Sequence, residues 1–112
     1  MADPVGPSGS DAADALLAGI LQGVVPDPSI TGRLGDETLR RVYRQVLSEG
    51  SEIGRERIAD VARQDSGRVG DLAVEAFGNW GGAEAAELLA SLEASAVTPR
   101  RHKALRRARH YC

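Results

Sequence analysis

Along most of the chain the apolar residues recur every three or four positions, the period of a helix with one buried face, and no stretch alternates as a half-buried strand would. Ser10 and Asp11 stand as potential caps before Ala13, Leu16, Leu17, Ile20, Leu21 and Val24, a stripe that Pro26 and Pro28 then stop. A second helix is predicted from a cap at Asp36 to Gly50, with Leu39, Val42, Tyr43, Val46 and Leu47 inward and Gly50 suited to a left-handed exit. Ser51 caps a third over 52–64, its stripe Ile58, Val61 and Ala62, with Ile53 at its start. Ser66 precedes a fourth, in which Val69, Leu72, Ala73, Ala76, Phe77 and Trp80 keep one face for three turns before Gly81 and Gly82. A fifth covers 83–94, with Ala85, Leu88, Leu89 and Leu92 inward and Glu84, Glu87 and Glu93 outward. Thr98 and Pro99, a cap followed by proline at the first helical position, open a sixth.

These helices pair into a repeat. A shift of 31 residues lays Val42, Val46 and Gly50 over Ala73, Phe77 and Gly81, and Ile58 and Val61 over Leu89 and Leu92. The same shift carries the fourth helix onto the sixth. Amphipathic helix pairs at this period bury their faces by stacking on neighbours. The expected fold is therefore all-α, with five to six short amphipathic helices stacked as helical hairpins. Composition agrees: 112 residues suit one domain, and aromatics are only 4%, the filler being Ala, Leu, Val and Ile. Residues 1–10, rich in glycine and proline, read as a flexible tail ahead of a single domain over 11–112, whose basic last helix is 99–112.

The segment AVEAFGNWGGAEAAELLASLEAS, residues 73–95, resembles a HEAT-type repeat of the short bacterial kind: an Ala, Leu and Gly first helix, a glycine turn, and an Ala and Leu second helix. The resemblance extends more loosely over 39–64. It implies an α-solenoid fragment used as a binding surface, and it implies no catalytic residues.

Charge is segregated along the chain. Residues 1–98 carry 16 acids and 8 bases, whereas 99–112 carry Arg100, Arg101, Lys103, Arg106, Arg107 and Arg109 and no acid. Read as a helix, this tail keeps a narrow apolar stripe, Ala104, Leu105, Ala108 and Tyr111, so it can dock on the protein while its cations face a polyanion. Those six bases are the candidate partner-binding surface, with an acidic protein as the first expected partner and nucleic acid as the alternative. Against a dedicated nucleic-acid binder stand the net charge of -2 and the lack of any zinc-finger, basic-zipper or base-stacking pattern. A structural reading competes: five acids without a base lie between Asp71 and Glu93, so the tail can simply neutralise its neighbours. A second mixed surface is Tyr43 with Arg40, Arg41 and Arg44, the Tyr43 ring packed and its hydroxyl in water. Phe77 and Trp80 are read as core, with Trp80 only partly covered.

A single cysteine, Cys112, excludes an intrachain disulfide and points to a reducing compartment. With no membrane-length apolar run, and Asp11 and Asp14 where a signal peptide wants bases, a cytoplasmic location is expected. The 12–25 stretch has little polar surface, which makes the first helix a candidate homodimer face. His102, His110 and Cys112 fall short of the four ligands of a zinc site, so no metal or cofactor is expected. Cys112 also admits a precursor reading, in which the helices are recognised and the tail ending in Cys112 is enzymatically modified, a plan similar to the precursors of some ribosomally made peptide products. No phosphate-binding glycine loop or nucleophile and base motif occurs, and the expectation is a protein that is not an enzyme.

Overall fold

The computed structural model describes residues 9–65, 67–95 and 98–111, and among these every regular element is a helix. Seven are present: α1 (Gly9–Leu21), α2 (Pro28–Thr31), α3 (Asp36–Ser48), α4 (Glu52–Gln64), α5 (Arg68–Trp80), α6 (Gly82–Ser95) and α7 (Pro99–Tyr111). Most of the tail 1–10 lies outside the described residues, and α1 opens at Gly9, inside the stretch read as tail.

Two differences from the sequence reading have local causes. The first helix stops at Leu21, before its prolines, because Gly23 takes a left-handed conformation at φ 90°. Its N–H donates to Ile20 O, and the Val24 N–H donates to Gly19 O at 2.8 Å, the paired bonds of a Schellman exit. Val24 thereby leaves the apolar stripe and is 57% exposed, and Val25 beside it is exposed too. The seventh element is the single turn α2. Pro28, read only as a stop, occupies its first turn, and the Asp27 carboxylate caps it by accepting from the Ser29 N–H at 2.9 Å. That backbone bond, with the Ser29 hydroxyl, holds the Asp27 carboxyl below its ordinary range.

Caps set the other boundaries. Ser51 Oγ accepts from the Gly54 N–H at 3.0 Å and starts α4. Gly35, rather than Asp36, is the N-cap of α3 and places Asp36 in the first turn, where its charge suits the helix dipole. The cap read at Ser66 lies outside the described residues. Asp65 supplies one for α5, its Oδ1 accepting from the Gly67 and Gly70 N–H groups at 2.8 and 3.0 Å. Gly50 and Gly81, both at φ 75°, close the first helix of each hairpin at equivalent points of the 31-residue shift.

α5 lies at the centre of the fold, packed against α3, α4, α6 and α7, while α1 covers α3 and α4. Val69, Gly70, Leu72, Ala73, Val74, Ala76, Phe77 and Gly78 are all buried, so α5 is covered around most of its circumference. Arg68 pairs with Asp36 and Glu75 with Arg40, which runs α5 in the same direction as α3. Arg101 beside Asp71 and Ala108 against Gly78 make α7 parallel to α5 as well. A methyl group at Gly78 would fall 2.7 Å from Ala108 Cα, so only glycine permits this approach. The core runs continuously from Ala13, Leu16 and Ile20 of α1 to Leu105 and Ala108 of α7. Ala13, Leu16 and Ile20 thus spend their apolar surface inside the molecule.

Tyr43 departs from the sequence reading. Its hydroxyl is not in water: the residue is fully buried, and its oxygen has no hydrogen-bond partner among the described residues. It shares the stripe of Leu39, Val42, Val46 and Leu47, the α3 face turned fully inward.

Candidate docking surface

Folding α7 onto α5 divides the six bases of the tail among different roles. Thr98 Oγ1 accepts from the Arg101 N–H at 3.2 Å and begins the helix. Leu105 and Ala108 then fix which face turns inward, and Arg101, four residues before Leu105, shares that face. Arg101 is only 8% exposed. Its Nε donates to Asp71 Oδ1 at 2.8 Å, its Nη1 to Ala62 O at 2.6 Å, and its Nη2 to Asp65 O. A residue read as a partner contact is therefore an internal clamp, satisfying carbonyls at the end of α4 that helix geometry leaves unpaired.

Arg100 is exposed but pairs through Nε with Asp71 Oδ2 at 2.9 Å, and Arg109 pairs with Glu93. Asp71 and Glu93 belong to the acidic run read as a target for neutralisation, and half of the tail's bases are engaged in that way. Lys103, Arg106 and Arg107 are exposed and have no ion-pair partner among the described residues.

Two of these three face a groove. Arg100, Lys103 and Arg107 follow one another at three- and four-residue spacing and form one wall of a depression of about 570 Å³ between α3, α5 and α7. Its floor carries Asp36, Asp71 and Glu75, each answered by arginine: Asp36 by Arg68, Asp71 by Arg100 and Arg101, Glu75 by Arg40 at 2.7 Å. Glu75 and then Glu37 hold Arg40 above the ordinary arginine value, so the pairing favours its charged form. With the floor neutralised, Lys103 and Arg107 supply the groove's uncompensated charge. The arrangement can attract and orient a carboxylate or other anion. Arg106 has left this wall, since neighbouring helical positions diverge by about 100°.

A smaller recess of about 290 Å³ adjoins the groove, lined by Leu47, Ala76 and Trp80 with Arg40 and Arg44. Trp80 is 37% exposed, whereas Phe77 is buried, as the partial covering of Trp80 in the sequence reading anticipates. The rings meet edge to face with centroids 6.1 Å apart, and the Arg55 guanidinium lies 5.6 Å from the Trp80 ring centroid. Arg55 also pairs with Glu84 at 2.9 Å, which fixes it there.

Sequence reasoning missed the α3 and α5 walls of this surface, because helices distant in sequence build them. It could have found Arg101, whose spacing to Leu105 and Ala108 marks the inner face. Cys112, the candidate for modification, lies outside the described residues. No helix among the described residues is long and apolar enough to cross a membrane. Comparison with protein-family models, curated proteins and solved structures finds no match to this chain.

Proposed function

We propose that this chain is a small, non-catalytic helical-repeat protein of HEAT-like kind that works in the cytoplasm as an interaction or regulatory module, binding an acidic protein partner through the groove between α3, α5 and α7. The observation that carries the reading is the unequal treatment of neighbouring cations. Arg40, Arg68 and Arg100 are each paired within the groove, while Lys103 and Arg107 beside them face solvent without a counter-ion among the described residues. The repeat reading draws support from order: first helices α3, α5 and α7 contact in succession, second helices α4 and α6 meet, and each glycine turn falls at the same place in its hairpin. The partner surface then consists of Arg100, Lys103 and Arg107, with Arg106 outside it and Arg101 and Arg109 serving the fold.

The test is charge reversal at the two free positions. An affinity-tagged chain carrying Lys103→Glu and Arg107→Glu, expressed in its source cells, should lose the stoichiometric partner that the unaltered chain retains, with circular dichroism unchanged. Retention of the same partner by the variant refutes the assignment. A nucleic-acid reading is favoured by the exposed row Arg100, Lys103, Arg106 and Arg107, and predicts DNA or RNA binding that weakens steeply with salt. The pairing of Arg40, Arg68 and Arg100 weighs against it, since a continuous phosphate backbone would meet few free cations along the groove.

A further inference from the structure

The groove and the recess share Arg40, Glu75 and Asn79, so they form one continuous surface with an apolar end at Trp80 and a basic end at Lys103 and Arg107. Arg107 is close to the apolar end along the helix axis, and Lys103 stands about one turn further from it. Ala108 lies against Gly78, which places Arg107 about level with the last turn of α5, where Trp80 stands. We infer that the two parts are a single bipartite peptide site: a large apolar side chain, aromatic or aliphatic, of an acidic segment enters the recess, and carboxylates beside it reach Lys103 and Arg107. This rests on the reading of the groove as an acidic-partner surface and adds what that partner must carry.

Three features single out this ligand. Trp80 is exposed although it ends a buried stripe, and Phe77 on one edge and Arg55 against its ring hold it in place, so an anchor would meet a preformed wall. Leu47 and Ala76 complete that wall, giving the recess a mainly apolar lining suited to a hydrocarbon or aromatic group. Arg44, on the recess rim, has no ion-pair partner among the described residues. Free cations therefore flank the anchor position on the α3 side at Arg44 and on the α7 side at Arg107 and Lys103. A peptide can place carboxylates at those points alone. A nucleic acid carries a phosphate at every nucleotide, and on this surface Arg44, Lys103 and Arg107 are the cations left to meet them among the described residues.

Trp80 is the only tryptophan in the chain, so its emission reports occupancy of the recess directly. The probes are fluorescein-labelled synthetic peptides containing one phenylalanine beside a run of glutamates, in both orders, with Phe→Ala and Glu→Gln counterparts, and a single-stranded DNA oligonucleotide. The expected result is a saturable change in Trp80 emission with the Phe-Glu peptide in one order or the other. Affinity should fall at least about tenfold when either the phenylalanine or the glutamates are replaced. Arg107→Glu should cause a similar loss, and Arg106→Glu should leave binding unchanged, with circular dichroism confirming that both variants fold. Trp80→Ala, followed by peptide anisotropy, should also weaken binding. If the glutamate run binds equally well without phenylalanine, the recess is not a subsite and this inference fails, while the acidic-partner reading stands. Failure of every peptide to bind overturns the inference too, and the Lys103 and Arg107 co-purification result then judges the earlier reading separately. Tighter binding of the oligonucleotide than of any peptide overturns both.

Discussion

Tyr43 sets the residue scale, because its ring and its hydroxyl make opposite contributions. The ring fills the α3 face that packs inward, but the buried oxygen finds no hydrogen-bond partner among the described residues. A buried hydroxyl left unpaired forfeits the bonds it makes to water in the unfolded chain. Tyr43→Phe keeps the ring and removes that cost, so stability in urea at neutral pH should be equal to the original or higher by up to about 1 kcal/mol. Burial, and then the charge of Asp65, also push the phenol above its ordinary value. The sign follows from linkage: with the folded value raised, this contribution is complete below about pH 10 and is lost as pH rises beyond it, where the unfolded chain releases the proton more readily. The alkaline fall in stability should therefore be shallower in Tyr43→Phe, as urea midpoints measured across that range will show. The stripe made burial of the Tyr43 ring legible in the sequence. Burial of its hydroxyl was not, since covering it depends on how other segments pack over α3.

At the scale of elements, the boundaries follow short-range chemistry and the separations follow glycine. Ser51, Thr98 with Pro99, and the glycines at 50 and 81 could be read directly, since caps and left-handed exits depend on residues a few positions apart. The early end of α1 and the turn α2 were also written locally, in Gly23 and in Asp27 followed by Pro28, but stronger apolar and proline signals beside them drew the reading elsewhere. Gly78 differs because nothing local marks its role. Inside a helix, alanine ordinarily gains about 1 kcal/mol over glycine. Here the added methyl would meet the α7 backbone at Ala108, which cannot move aside as a flexible side chain does. Gly78→Ala should therefore lower stability by about 1–3 kcal/mol, as overpacking does, reversing the sign expected from helix propensity. Thermal unfolding of this single variant decides between the two.

Across the whole molecule, α7 belongs both to the core and to the candidate surface, and Arg101 joins the roles. Its guanidinium ties α7 to the end of α4 through Ala62 O and Asp65 O, and to α5 through Asp71. Arg101→Met would keep most of the side-chain volume but leave the buried Ala62 carbonyl and the part-buried Asp65 carbonyl without this donor, with Asp71 held by Arg100 alone. A loss of about 3 kcal/mol is expected, of the size seen when one partner of a buried pair is removed. Charge reversal at the exposed Lys103 and Arg107 should change urea stability little, because neither is engaged in an ion pair among the described residues. Measuring both variants in urea separates the cations that build the fold from those left free at the surface. Equal stability of Arg101→Met and the unaltered chain would show that the clamp does not hold α7 in place.

The sequence by itself determined the helical class, the bounds of α4 and the start of α7, the exits at Gly50 and Gly81, and the buried stripes of α3, α4 and α6, because periodicity and capping act within a few residues. It also concentrated positive charge at the end of the chain. Only the tertiary structure decided which of those charges remain free. Arg101 and Arg109 find their partners 30 and 16 residues earlier in the chain, and the groove has walls on three helices. The side chains that one helix presents are set by its own period, but the counter-ions, carbonyls and glycines that meet them belong to other helices, and packing alone brings these together.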